Sequence, residues 1–244
     1  MPRFAVVLVA LTGMGCGSAL AATKSFAAND FVMPADKALT IALLRPDVEV
    51  GEVQAGGLTE PNADWTMNAR SNIQSAIGAK LKAAQAEMRV LDQQTGDAAQ
   101  LVGDYQALHQ AVASAIMIHK VLGVKLPTKK DRFDWTMGPG AKPLGELSDS
   151  NYGLFLFVRD GFASASRRGV QAVGMLGCLV GVCIVATGSQ HVYYASLVEL
   201  STGNIVWFNF LRGSSGDVRE ATGAESMVNA LLATMPTQNG VAGK

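Results

Sequence analysis

Two stretches with a helical apolar period constrain this chain most. Across 65–87, Ala69, Ile73, Ala76, Ile77, Leu81 and Ala84 recur at spacings of three and four, with Arg70, Gln74, Lys80 and Lys82 on the opposite side. Across 98–122 the same period runs through Leu101, Tyr105, Leu108, Val112, Ile116 and Val121, and Gly123 stops it. Each stretch is one-sided, so each needs a sheet or another helix to cover its apolar stripe. Short strand-like runs stand ready: ALTIALL at 38–44, MRVL at 88–91, and YGLFLFVRDGF at 152–162, the strongest strand signal in the chain. The run HVYYASLVEL at 191–200, the turn Ser201-Thr202-Gly203-Asn204 and the return IVWFNFL at 205–211 read as a β-hairpin. Asp64, Asp97 and Asp217 are candidate N-caps, and Asp217 would open a last amphipathic helix that Pro236 ends. The expected fold is α/β: a single sandwich-like domain with a mixed sheet, amphipathic helices and a C-terminal β-hairpin followed by a helix. Its span is 38–236, after an N-terminal arm at 22–37 and before a flexible tail at 237–244.

Residues 1–21 read as a signal peptide. Arg3 supplies the positive start, Phe4–Gly15 the apolar centre, and Ala19-Leu20-Ala21 a cleavage pattern that leaves Ala22 as the first mature residue. Such a segment is too short to span a bilayer, which takes roughly 20 apolar residues. Cys16 offers a competing lipidation site behind Gly13-Met14-Gly15, a poor lipobox. The A-x-A pattern favours cleavage after Ala21. Of the three cysteines, Cys178 and Cys183 then remain, five apart in an apolar run, which reads as packing rather than a disulfide scaffold.

Composition narrows function mainly by exclusion. Twenty basic and twenty acidic side chains balance, and removal of Arg3 would leave 19 against 20. A nucleic-acid binder normally carries a basic excess, so no nucleic acid is expected as a partner. Charged residues are 16% of the chain and mean hydropathy is +0.21, so the chain has enough apolar surface to fold. Residues 169–198 contain no Asp, Glu, Lys or Arg. The stretch 169–190 reads as a glycine-rich apolar insertion or buried helix, with Gly174, Gly177 and Gly181 permitting close packing, and membrane contact through it is one of its expected uses.

Catalytic motifs are missing. No G-x-S-x-G, S-x-x-K, H-E-x-x-H, C-x-x-C or P-loop pattern occurs. Gly213-Ser214-Ser215-Gly216 reads as a turn. His109, His119 and His191 read as surface or helix-terminal imidazoles, and Asp160 beside Arg159 as a strand-end charge. No catalytic residue, cofactor or metal ligand is nominated.

The element order, carried by ALTIALL at 38–44, MRVLD at 88–92, YGLFLFVRD at 152–160 and SLVELSTGNIVW at 196–207, resembles the CsgG-like and TolB amino-terminal-like periplasmic α/β domains. In the last segment Gly203 serves the turn and Trp207 anchors the core. The resemblance implies a non-enzymatic accessory or assembly factor for secretion or envelope biogenesis. It would sit in the periplasm, attached or not to the outer membrane, with envelope or secretion proteins or further copies of itself as partners. Two alternatives stand beside it: a CsgG-like membrane-associated oligomer or pore using 169–190, and a small exported hydrolase whose site is assembled from scattered residues.

Overall fold

A computed structural model describes residues 22–29, 31–36, 38–91, 93–130, 132–179, 189–238 and 240–241. The fold is mixed α/β, as the pattern predicts. Strands β1 (Ala22–Ala27), β2 (Thr40–Leu44), β3 (Asp47–Val53), β4 (Thr59–Pro61), β5 (Glu87–Leu91), β6 (Tyr152–Ala163), β7 (Gln190–Glu199) and β8 (Asn204–Arg212) form one eight-stranded sheet. Its path is β1-β8-β7-β6-β2-β5, with β3 paired to β6 and to β4. β5, β2, β3 and β6 run parallel, while β6, β7, β8 and β1 alternate in direction.

Helices α1 (Ala63–Ala83) and α2 (Gly96–Ile116) cover opposite faces of the sheet. The connection through α1 leads from the β2–β3 side out to β5, and that through α2 returns across β2 to β6. Right-handed crossovers in opposite directions put their helices on opposite faces. Accordingly Ile73, Ile77 and Leu81 of α1 pack with Ile41, Leu43, Leu154 and Leu156, joined by Met227, Val228 and Leu231 of the last helix, α5 (Ala221–Leu231). Ala113 and Ile116 of α2 pack with Ala42, Leu44, Phe155 and Phe208, joined by Leu144 of α3 (Lys142–Ser148). β2 is buried on both faces because it is central, which explains why ALTIALL shows no alternation.

β2 and β3 are one strand interrupted by a bulge. Leu43 faces Leu154 and Asp47 faces Phe157, so four steps on one side match three on the other. Arg45-Pro46 occupies the extra step, where the missing proline N–H costs no ladder bond. The Arg45 carbonyl accepts from Gln106 Nε2 at 2.7 Å, and Asp47 accepts from Gln110 at 2.7 Å and from Arg159 at 2.9 and 3.1 Å.

Several local expectations are revised. Residues 22–27, read as part of an arm, form the edge strand β1. Phe26 stacks on Phe133, and Ser25 receives the Trp207 indole N–H. α1 is capped by Asn62 rather than Asp64, its Oδ1 accepting from Trp65 N at 3.0 Å. α2 ends at Ile116 in a π-helical turn, Met117–Val121. Asp217 does not cap α5, which starts at Ala221 after Glu220. Pro236, the expected end of the last helix, and residues of the expected tail form two short strands, β9 (Pro236–Thr237) and β10 (Gly240–Val241), paired with each other. The segment 124–150 contains α3 and a stretch bonded to the hairpin turn through Thr136.

Candidate functional site

One row across the sheet reads Ala22, Arg212, Val192, Arg159 and Glu49, neighbours in successive strands. Just beyond this row β6 ends at Ala163, and β7 begins at Gln190. The connection between them therefore leaves from the end of the sheet where β1 begins. Its first part is helix α4 (Ala165–Leu179), and β3 and β4 turn back at the same end. Arg167 joins the two: it is buried, and its Nη1 donates to the Ala55 carbonyl of the β3–β4 turn at 3.0 Å. Exposed apolar side chains occur on both of the elements it joins. Leu58 is 80% exposed at the turn and Val173 is 68% exposed on α4, where Val170 is exposed as well. Arg168 is exposed beside them.

Gly174 and Gly177 lie on α4, whereas Gly181, Cys183 and Cys16 lie outside the described residues. No helix among the described residues is long and apolar enough to cross a membrane.

Beneath this end sits a polar cluster that sequence reading missed. Asp160 and His191 are register partners on β6 and β7, and His191 Nδ1 bonds the Asp160 carboxylate. The Asp160 side chain has no exposure, so the imidazole replaces the water it lost. The Tyr193 phenol, fully buried nearby, is pushed up by burial first and by the Asp160 carboxylate second. The two groups do not meet in hydrogen-bond geometry: the Tyr193 hydroxyl and Asp160 Oδ2 have no bonded partner among the described residues. Arg219 closes the cluster. Its guanidinium lies 3.8 Å from the Phe162 ring and 4.4 Å from the Trp65 ring. It also forks onto Asp217 at 2.6 to 3.1 Å, and those bonds hold the Asp217 carboxyl below its usual range.

The signal for Asp160 was parity. Tyr152, Leu154, Leu156 and Val158 all face the α1 side, and Asp160 falls on the same phase. His191 shares a phase with Tyr193, Ala195 and Leu197. Only the register makes them partners. Chemically, an imidazole oriented by a buried carboxylate supplies two of the three members of a nucleophilic triad. Ser215 Oγ, the buried hydroxyl in the GSSG turn, bonds to nothing among the described residues, His191 included. No group of three potential metal ligands occurs among the described residues.

His109 corrects the surface reading. It is 4% exposed on α2, stacked on Phe155 at 4.4 Å, with Nε2 2.8 Å from Ser196 Oγ. Burial lowers its pKa to about 3, so it is neutral at ordinary pH. His119 matches its expected place near the end of the α2 region, with Nδ1 2.8 Å from the Val124 carbonyl.

At the other end of the sheet lies the hairpin turn. Gly203 has φ +75°, and a Cβ there would sit 1.9 Å from the Gly138 carbonyl oxygen. The close approach exists because Met137 N donates to the Gly203 carbonyl at 2.8 Å and Ile205 N to the Trp135 carbonyl at 2.9 Å. Trp207 is 1% exposed, and its indole N–H lies 3.2 Å from both Ser25 Oγ on β1 and Thr234 Oγ1 beyond α5. It ties the edge strand to the chain after the last helix.

No family model matches the chain, and no curated protein matches it. Among solved structures, a PelC dodecamer from Paraburkholderia phytofirmans is similar over 87% of this chain and 96% of its own, at 10% identity and a TM-score of 0.38. A single-residue variant of that dodecamer covers the same shares at 13% identity and a TM-score of 0.38.

Proposed function

We propose that this chain is an exported bacterial envelope protein. In this reading it is an accessory or assembly factor for secretion or envelope biogenesis, acting by contact rather than by catalysis. One observation carries the reading: the end of the sheet where β1 begins is also the end from which α4 departs, opening the charge-free run 169–198 with Val170 and Val173 exposed. Ala22, the first residue after Ala19-Leu20-Ala21, opens β1. Leu58 is exposed in the β3–β4 turn that Arg167 bonds to α4. Val170 and Val173, three apart on α4, share one exposed face, which suits a partner surface. The resemblance of the hairpin and element order to CsgG-like and TolB amino-terminal-like domains supports the envelope setting. The same arrangement favours a second reading, a membrane-associated oligomer, because Val170 and Val173 lie in a run without charge from 169 to 198.

The test is photo-cross-linking in an exporting bacterial host. A benzophenone amino acid replaces Val173, and in a control it replaces Ser71, exposed on α1. The proposal expects discrete envelope-protein adducts from position 173 and none from 71. Lipid adducts or adducts to a second copy would move the balance to the membrane-associated oligomer. Equal, diffuse labelling from both positions would overturn the contact end altogether.

A further inference from the structure

A second feature lies at the hairpin end, away from α4. A cleft of about 370 Å³ opens between the chain segment before β2, α3 and the end of β7. That volume is in the range of small-ligand sites. Its floor is apolar, formed by Met33, Leu39 and Leu200, each almost fully buried. Among the described residues its wall carries three carboxylates, Glu146, Asp149 and Glu199, and one cation, Lys142. Lys142 sits 3.4 Å from Glu146, so that pair is locally balanced. Glu199 bonds through Oε2 to Thr202 Oγ1 at 2.6 Å, and Asp149 makes no ion pair among the described residues.

The Tyr152 side chain is an independent observation. It is 4% exposed and lies on the cleft wall, and its hydroxyl has no hydrogen-bond partner among the described residues. It is the register partner of Glu199, so the two side chains stand on the same face of the sheet. Burial and the Glu199 carboxylate push the phenol up to about 12, so it stays protonated. The ring is buried while the hydroxyl stands at the cleft, and a tyrosine hydroxyl so placed takes up a partner. Here the open side of the cleft is where one would come from.

We propose that this cleft binds a primary ammonium group on an apolar stem, with Tyr152, Glu199 and Asp149 receiving the head and Met33, Leu39 and Leu200 receiving the stem. Acceptors from three separate elements suit a compact ammonium with three rotatable donors. A guanidinium would ask for one coplanar carboxylate fork instead. A lysine stem buries well along apolar surface while its head stays polar. The group could come from the lysine of a partner protein or from a free diamine. The inference stands apart from the contact end around α4.

The experiment is a titration of the exported, processed chain followed by amide NMR. The probes are 1,5-diaminopentane, N-acetyl-lysine N-methylamide and, as a neutral control, 1-pentanol. The expected result is saturable shifts at Ser150, Asn151 and Leu200 with an ammonium probe. Affinity should fall at least tenfold in the Asp149→Asn/Glu199→Gln double variant and several-fold in Tyr152→Phe. Binding of the blocked lysine as tight as that of the diamine assigns the group to a protein lysine, and binding of the diamine alone assigns a free diamine. Equal binding of pentanol, shifts confined to other regions, or affinity unchanged in a folded double variant would each overturn the proposal.

Discussion

Gly203 shows how one position carries a turn. Its φ is left-handed and its Cα side is filled by the Gly138 backbone, so both the angle and the space exclude a side chain. Gly203→Ala should cost roughly 2–4 kcal/mol, by strain and by displacing the 136–138 segment. Thermal unfolding should show a midpoint lower by roughly 5–10 °C. An unchanged midpoint would mean that the close approach is not maintained in solution. His109 makes a different prediction, through protons. The unfolded imidazole takes up a proton near pH 6.5, and the folded one refuses it until about pH 3. Stability therefore falls as pH falls through that window, by about 1.4 kcal/mol per pH unit from this group, and is unaffected by it above pH 6.5. Urea unfolding at pH 7 and pH 5 should show the fall in the wild type and a smaller one in His109→Gln. Identical pH dependence in both would contradict the buried neutral imidazole.

Among the elements, β1 depends on Trp207. The indole N–H reaches Ser25 on the edge strand and Thr234 beyond α5. Trp207→Phe keeps a ring in the core and removes that donor. It should cost about 1 kcal/mol for the bond, plus a cavity cost. Amide exchange should speed up more in β1 than in β2. Asp160 plays the corresponding role for β6 and β7 where they diverge into α4. Asp160→Ala leaves the His191 imidazole without its acceptor, at roughly 1–3 kcal/mol. Exchange should rise first at the start of β7. These two elements also mark what could be read from the chain beforehand. The hairpin was legible because its signals are local: two apolar runs and a Thr-Gly turn. The helices α1 and α2 were legible because their periods are long. β1 was not, because ATKSFA has no strand pattern of its own and gains its order from β8, Phe133 and Trp207. The Asp160–His191 pair was not, because the two residues are 31 positions apart and meet only through register. The cleft beside Tyr152 needs three elements brought together, and no single segment of sequence announces it.

At the scale of the molecule, the sheet separates two ends of different character. One end holds the hairpin turn, the carboxylate-walled cleft and the Tyr152 hydroxyl. The other holds the start of β1, the root of α4 and the exposed Leu58, Val170 and Val173. Three layers bury the central strands on both faces, so the faces are used up in folding and the ends and edges are left for contact. The proposed function depends on the chain reaching the envelope, and that can be read directly. Cells expressing the full chain would be separated into cytoplasmic, periplasmic and membrane fractions, and the intact mass of the protein would be measured in each. The account predicts a species outside the cytoplasm whose mass corresponds to a start at Ala22. A diacylglycerol mass on Cys16 would keep the export claim while moving the anchor to the lipid. A full-length species retaining Met1 or its following residues, confined to the cytoplasm, would contradict the account.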